Sequence, residues 1–139
     1  MLIIFHYSMT ARRTLIEEVK RVKPVIIVEG KNDKIKLSAL LDTERIDILC
    51  THGTPGEDRL DRLRRLVGDR PVYIWTDNDR RGKKIRARLR DAFPDAEHLH
   101  TSKGYAGVEG TPDEDLAGRL VKAGLEEYLA NRSGEGGLP

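Results

Sequence analysis

At 139 residues the chain falls in the range of one domain, long enough to bury roughly two-thirds of its unfolded surface without a disulfide or a structural metal. Its 25 Lys and Arg nearly balance 23 Asp and Glu, for a formal charge of +2 that excludes a simple polybasic arm and leaves the partner class open. One Trp, four Tyr and two Phe supply a base-stacking platform poorly, and the single Cys50 excludes an internal disulfide and any multi-Cys zinc site, so a reduced, cytoplasmic setting is expected.

In chain order, Leu2-Ile3-Ile4-Phe5 is too short to span a membrane and lacks the basic flank of a signal peptide. Met9 is an equally good start, which would make residues 1–8 an artefact of annotation or cloning. Residues 10–22 read as an extra N-terminal helix carrying Leu15, Ile16, Val19 and Val22 on one side. Val25-Ile26-Ile27-Val28 follows: continuous and β-branched, it suits a strand covered on both faces. Residues 34–41 are predicted as a helix with Ile35, Leu37, Leu40 and Leu41 as its apolar side.

Ile46-Asp47-Ile48-Leu49-Cys50 is the second strand. A helix over 57–67 carries Leu60, Leu63, Leu66 and Val67, starting after Pro55-Gly56 and stopping at Gly68. Val72-Tyr73-Ile74-Trp75-Thr76 is the third strand. The helix over 80–93 steps Ile85, Leu89 and Phe93 four residues apart. Residues 96–100 form a weaker fourth strand. Thr111 as N-cap, Pro112 at the first helical position and Glu114 three beyond the cap open a last helix with Leu116, Leu120 and Leu125. Residues 131–139 read as a disordered tail.

Strand and helix alternate in a βαβ rhythm, which predicts a three-layer α/β/α domain over 23–130 with a parallel sheet of about four strands. In such sheets ligands bind beyond the carboxyl ends of the strands, where strand order reverses. The first strand ends in Glu29-Gly30 and the third in Thr76-Asp77-Asn78-Asp79. A strand order 2-1-3-4 would make those ends neighbours and bring three carboxylates to one crevice.

Asp77 and Asp79 are two apart, so on extended backbone they point the same way. Two hard oxygen ligands that close suit Mg²⁺, with Mn²⁺ as an alternative. The plainer reading is a turn that caps the next helix. From Arg80 to Arg90 that helix carries seven cations and no acid, so the rest of the chain has a net charge of −5. Its N-terminus adds backbone donors that favour a phosphate. An acidic metal pair beside a basic helix fits phosphodiester chemistry; a solvated face in an Arg-rich protein is the alternative, most credible for Arg88 and Arg90.

Val28-Glu29-Gly30-Lys31-x-Asp33, followed by Thr76-Asp77-x-Asp79-x-x-Gly82, resembles the Toprim domain of primases, topoisomerases, OLD nucleases and recombination proteins. Thr76 to Arg86 is most similar to small stand-alone Toprim proteins and to the Toprim part of the ribonuclease that matures 5S ribosomal RNA. Thr51-His52-Gly53-Thr54 and Gly107-Val108-Glu109 are weaker matches. The resemblance implies Glu29 as general acid or base and Asp77 and Asp79, with Glu29, as Mg²⁺ ligands. It also implies Lys31, Arg80, Arg81, Gly82, Lys83, Lys84 and Arg86 as the nucleic-acid-binding set, with Asp33, His52, Gly53 and Glu109 as accessory positions.

The sequence departs from the family in two places: Arg81 stands where topoisomerase-type domains carry a third acid, and Gly110 replaces a His. No domain with a transesterifying Tyr accompanies the motif, which argues against a topoisomerase, and the RNA-recognising extension of the 5S maturase has no counterpart after residue 130. The expectation is a Mg²⁺-dependent nuclease acting on RNA or DNA, with a protein partner supplying specificity. The alternatives are a non-catalytic nucleic-acid-binding or regulatory module and, less well matched, a phosphoryl-accepting receiver. His98 and His100 read as an edge-strand pattern before a metal pair, and Cys50 as core before nucleophile.

Overall fold

The computed structural model describes residues 23–130, so the expected helix over 10–22 and tail over 131–139 lie outside the described residues. The apolar run Val25–Val28 forms β1, with every side chain buried as its β-branched continuity requires. Then come α1 (Lys31–Leu40), β2 (Asp47–Cys50), α2 (Glu57–Val67), β3 (Val72–Ile74), α3 (Arg80–Ala92), β4 (Glu97–His98) and α4 (Asp113–Lys122), closed by a 3₁₀ turn at Glu126–Tyr128. The strands lie in the order β2-β1-β3-β4, all parallel, with Val25 opposite both Asp47 and Val72. This is the three-layer α/β/α fold with the strand order that the site hypothesis needs.

Alternation along β1 divides the core. Ile26 and Val28 join Ile48, Trp75 and Leu99 beneath Leu37, Leu40, Leu116 and Leu120 of α1 and α4. Val25 and Ile27 join Val72 and Ile74 beneath Leu60, Leu63 and Val67 of α2 and Ile85 and Leu89 of α3. Each face of the sheet therefore carries one pair of helices.

Several local expectations need correction. Helix α1 begins at Lys31, three residues early, because Asp33 reaches back to the Gly30 N–H at 3.0 Å. Its inner face is then Asp33, Leu37 and Leu40, and Ile35 stands 56% exposed on the other side. Leu66 likewise faces outward, 59% exposed. Thr111 does not cap α4: its hydroxyl donates to Gly107 O at 2.6 Å, leaving Pro112 at the cap position. Leu125 lies beyond α4, in the segment that Leu129 bridges back to Leu41. The strand pairing of β3 and β4 stops earlier than read, since beyond Ile74 and His98 the backbone turns to build the site.

Candidate metal and phosphodiester site

Glu29 leaves the end of β1 and Asp77 follows the end of β3, neighbouring parallel strands. The Asp77 N–H donates to Glu29 Oε1 at 3.0 Å, so the two chain ends are tied directly. Asp79 caps α3, accepting the Gly82 N–H on Oδ1 at 2.7 Å. The capping role and the ligand reading thus coexist, because a carboxylate has several lone-pair directions. One carboxylate oxygen from each of Glu29, Asp77 and Asp79 lies within 4.8 Å of the other two.

Two glycines make room for this cluster. A Cβ on Gly82 would stand 2.2 Å from the Asp77 carbonyl oxygen and 2.7 Å from Glu29 Oε1. A Cβ on Gly107 would stand 1.8 Å from Asp77 Oδ1. Both approaches are too close for any side chain, so the acids pack onto bare backbone.

Around the acids opens a cleft of about 700 Å³ whose walls include Asp33, His52, Gly53, Arg81, Gly107 and Glu109. Asp33 is only 8% exposed and spends both oxygens on backbone, accepting from Gly30 N at 3.0 Å and from Glu109 N at 3.1 Å. It therefore pins the 107–110 loop to the start of α1. Glu109 is held again by Asn32, whose amide donates to its carboxylate at 3.1 Å, and by Lys36, whose ammonium donates to its carbonyl at 3.1 Å. Beyond β2, His52 takes φ 54°, a conformation most side chains avoid, and Arg59 donates to the carbonyls of Thr51 and His52 behind it.

The electrostatics follow from the crowding. Burial raises the Asp77 carboxyl to about 7, with Glu29, Asp33 and Asp79 adding like-charge repulsion. Burial also raises Glu29; the Asp77 N–H and Arg81 oppose that rise, while Asp79 and Asp33 add to it. Three hard oxygen donors with excess negative charge between them fit a small divalent cation such as Mg²⁺ or Mn²⁺.

The basic helix divides in two. Arg80, Arg81, Lys83 and Lys84 are exposed around its first turn, as a phosphate-binding set requires, and Lys31 is exposed at the start of α1. Arg86 is not on that surface. It is 5% exposed and donates to Leu99 O at 2.7 Å, Thr76 O at 3.3 Å and Ile74 O at 3.4 Å, with His98 Nδ1 2.9 Å away. The expectation that Arg86 contacts nucleic acid is corrected: its donors are spent on the ends of β3 and β4. Arg88 ties α3 to α2 through Pro55 O and Glu57.

The sequence reading missed the supports of Asn78, whose N–H donates to Ala106 O at 2.7 Å and whose amide donates to Thr101 Oγ1 at 2.7 Å. No spacing signal links residues so far apart.

A model of the Toprim domain matches residues 24–107. The chain belongs to the Toprim family. It is 38% identical over 111 residues to the protein YusF of Bacillus subtilis (strain 168), covering 80% of this chain and 75% of YusF. Ribonuclease M5 of Lactococcus lactis subsp. lactis (strain IL1403) is 34% identical over 126 residues, covering 84% of this chain and 60% of the enzyme. A solved structure of a small TOPRIM domain protein from Bacillus stearothermophilus superposes with a TM-score of 0.67 at 41% identity, over 73% of this chain and 86% of that one. This Toprim chain thus spans about 60% of the length of the Lactococcus ribonuclease M5. No helix among the described residues is long and apolar enough to cross a membrane.

Proposed function

We propose that this Toprim protein is a Mg²⁺-dependent nuclease that cleaves nucleic-acid phosphodiesters, with structured RNA as the first substrate class to test and DNA as the second. The observation that carries the reading is the meeting of Glu29, Asp77 and Asp79 within 4.8 Å at the ends of β1 and β3. Ribonuclease M5 relatives support the choice of RNA. The single cysteine accords with a cytoplasmic setting.

Glu29, Asp77 and Asp79 would hold Mg²⁺, which when bound polarises a phosphoryl oxygen and acidifies a coordinated water. Glu29 is the proton carrier: its carboxyl is raised by burial, and one oxygen is already fixed by the Asp77 N–H. Arg81 lines the cleft, and Arg80, Lys83 and Lys84 extend the positive surface along α3 for the flanking backbone. The α3 N-terminus adds a partial positive charge on the same side.

The full chain, incubated with Mg²⁺ and a panel of structured RNAs and nicked DNAs, should cleave at least one class, and Asp77→Asn should abolish that cleavage. Identical behaviour of wild type and Asp77→Asn across the panel would reject the enzyme reading. A second reading, a binding or regulatory module, is favoured by Arg81, which places a guanidinium in the acidic cleft itself. Salt-dependent binding without metal-dependent turnover selects it.

A further inference from the structure

Strand β4 closes the sheet on the side of β3, the strand whose end carries Asp77. Along its outer edge lies a second cleft, of about 230 Å³, lined by Glu97, His98, His100, Arg119 and Lys122 together with apolar backbone neighbours. Its chemistry differs from the first site in sign.

His98 has a defined role there. Arg86 can only donate, so its 2.9 Å contact makes His98 Nδ1 an acceptor and places the ring proton on Nε2. Burial, with Arg86, Arg90 and His100, also lowers the pKa of His98, so the ring stays neutral near pH 7. It then offers an N–H donor on the side away from Arg86 and cannot offer a metal a lone pair from either nitrogen without losing a bond or a proton. The paired-histidine metal reading therefore fails on hydrogen bonding.

The cations beside it lack anions. Among the described residues Arg119 reaches only the neutral Ser102 hydroxyl, through Nε at 3.3 Å and Nη2 at 3.2 Å. Among the described residues neither Arg119 nor Lys122 forms an ion pair, Glu97 included. His100 adds an exposed imidazole to the same lining. Arg119 and Lys122 outnumber the one carboxylate of the lining, Glu97, and with the neutral His98 donor and a second imidazole they make the small cleft a receptor suited to a phosphate.

We propose that the β4 edge is a phosphodiester-binding site for the same nucleic-acid strand that the metal site takes. His98 donates from Nε2, and Arg119 and Lys122 supply the charge. The strand identity rests on the proposed nuclease reading; the anion site itself does not. The strand would run past the Asn78–Thr101 contact, which ties together the segments that follow β3 and β4.

The test uses the full chain in EDTA. Inorganic phosphate is titrated while the imidazole NMR signals of His98 and His100 are followed. Non-cleavable 2′-O-methyl RNA and DNA dodecamers are then bound at several salt concentrations. Phosphate should shift both imidazole signals, and the double variant Arg119→Ala/Lys122→Ala should remove the shift. In that variant dodecamer affinity should fall about tenfold, and the slope of log affinity against log salt should shrink by about 0.7 per lost contact. The exposed single variant Lys122→Glu serves if the double variant does not fold, with the same direction expected. Imidazole signals that phosphate leaves unmoved, or a variant that binds dodecamers with wild-type affinity and slope, would overturn the site. Titration of phosphate and dodecamer by a protein that cleaves nothing would sink the nuclease reading and uphold this one.

Discussion

The backbone N–H of Asp77 donates to Glu29 Oε1 at 3.0 Å, so one proposed metal ligand is positioned by the main chain of another. The bond joins the ends of two neighbouring parallel strands, β1 a fully buried β-branched run and β3 anchored by buried Val72 and Ile74. The rigid sheet thereby fixes the spacing of the acids, which a loop-borne pair would not achieve. The cost is borne locally, because the bond holds carboxylates together that would otherwise separate.

That cost is measurable as stability. The folded pKa of Asp77, about 7, lies above its ordinary 3.8, chiefly through burial and then through Glu29, Asp33 and Asp79. A folded pKa above the unfolded one means stability is highest below about pH 4 for this group and declines as pH rises towards 7. In EDTA at pH 8, Asp77→Asn should therefore melt higher than wild type. After solvent screening of a half-buried group the gain is about 1 kcal/mol, or roughly 4 °C. Mn²⁺ should raise the wild-type midpoint and leave that of the variant nearly unmoved. A variant that melts lower than wild type in EDTA would contradict this account.

Gly107 supplies a sharper geometric test. A methyl group there would overlap Asp77 Oδ1 at 1.8 Å, and the neighbouring Gly110 has nothing within 4 Å of its own Cβ position. Gly107→Ala should weaken Mn²⁺ binding at least tenfold by calorimetry and lower stability by about 1–3 kcal/mol. Gly110→Ala should do neither. Equal Mn²⁺ affinities in the two variants would show that Asp77 does not need this close approach.

Much of this was readable in the residues. The run Val25–Val28 and the βαβ rhythm specify a parallel sheet with acids at two strand ends; the order 2-1-3-4 was the condition for Glu29 to meet Asp77, and the fold meets it. Arg86 was misread because a run of cations looks like one surface. Its helical spacing carried the contrary signal: Gly82, Ile85, Arg86 and Leu89 share the inner face of α3. Other parts had no local signal. The reach of Thr111 to Gly107, which displaces the expected cap, and the grip of Asp33 on Glu109 across 76 residues arise only once the chain has folded.

Arg86 is accordingly expected to act as a positioning residue. It is a buried cation whose partners are carbonyls and an imidazole; desolvation lowers its pKa to about 10. Arg86→Met would leave the ends of β3 and β4 without their donor, at about 2–4 kcal/mol. Arg86→Lys should recover only part, since one ammonium cannot span both strand ends. A purely structural role would change melting alone. Release of Nδ1 should also raise the His98 pKa, now held down by burial and by Arg86, Arg90 and His100, and imidazole NMR reads that directly. An unchanged His98 titration in folded Arg86→Lys would remove the basis for this role.

Asp33 and Asp77 line one cleft, yet neutralising them should act in opposite directions. Asp77 gains from losing its charge because it is partly buried and, beyond that, its neighbours are carboxylates. Burial raises Asp33 as well, but its two oxygens accept the Gly30 and Glu109 N–H groups at 3.0 and 3.1 Å. Asp33→Asn replaces one acceptor by an amide donor that faces an N–H, so the buried bond becomes a clash of donors. The expected loss is about 2 kcal/mol, with faster amide exchange at Glu109 where the 107–110 loop is freed. Since that loop places Gly107 against Asp77, Mn²⁺ affinity should fall too, although no proposed ligand has been altered. Asp33→Asn that matches Asp77→Asn in melting would mean that charge alone governs both positions. A lower midpoint with faster Glu109 exchange would instead assign Asp33 to the scaffold and Asp77 to the site.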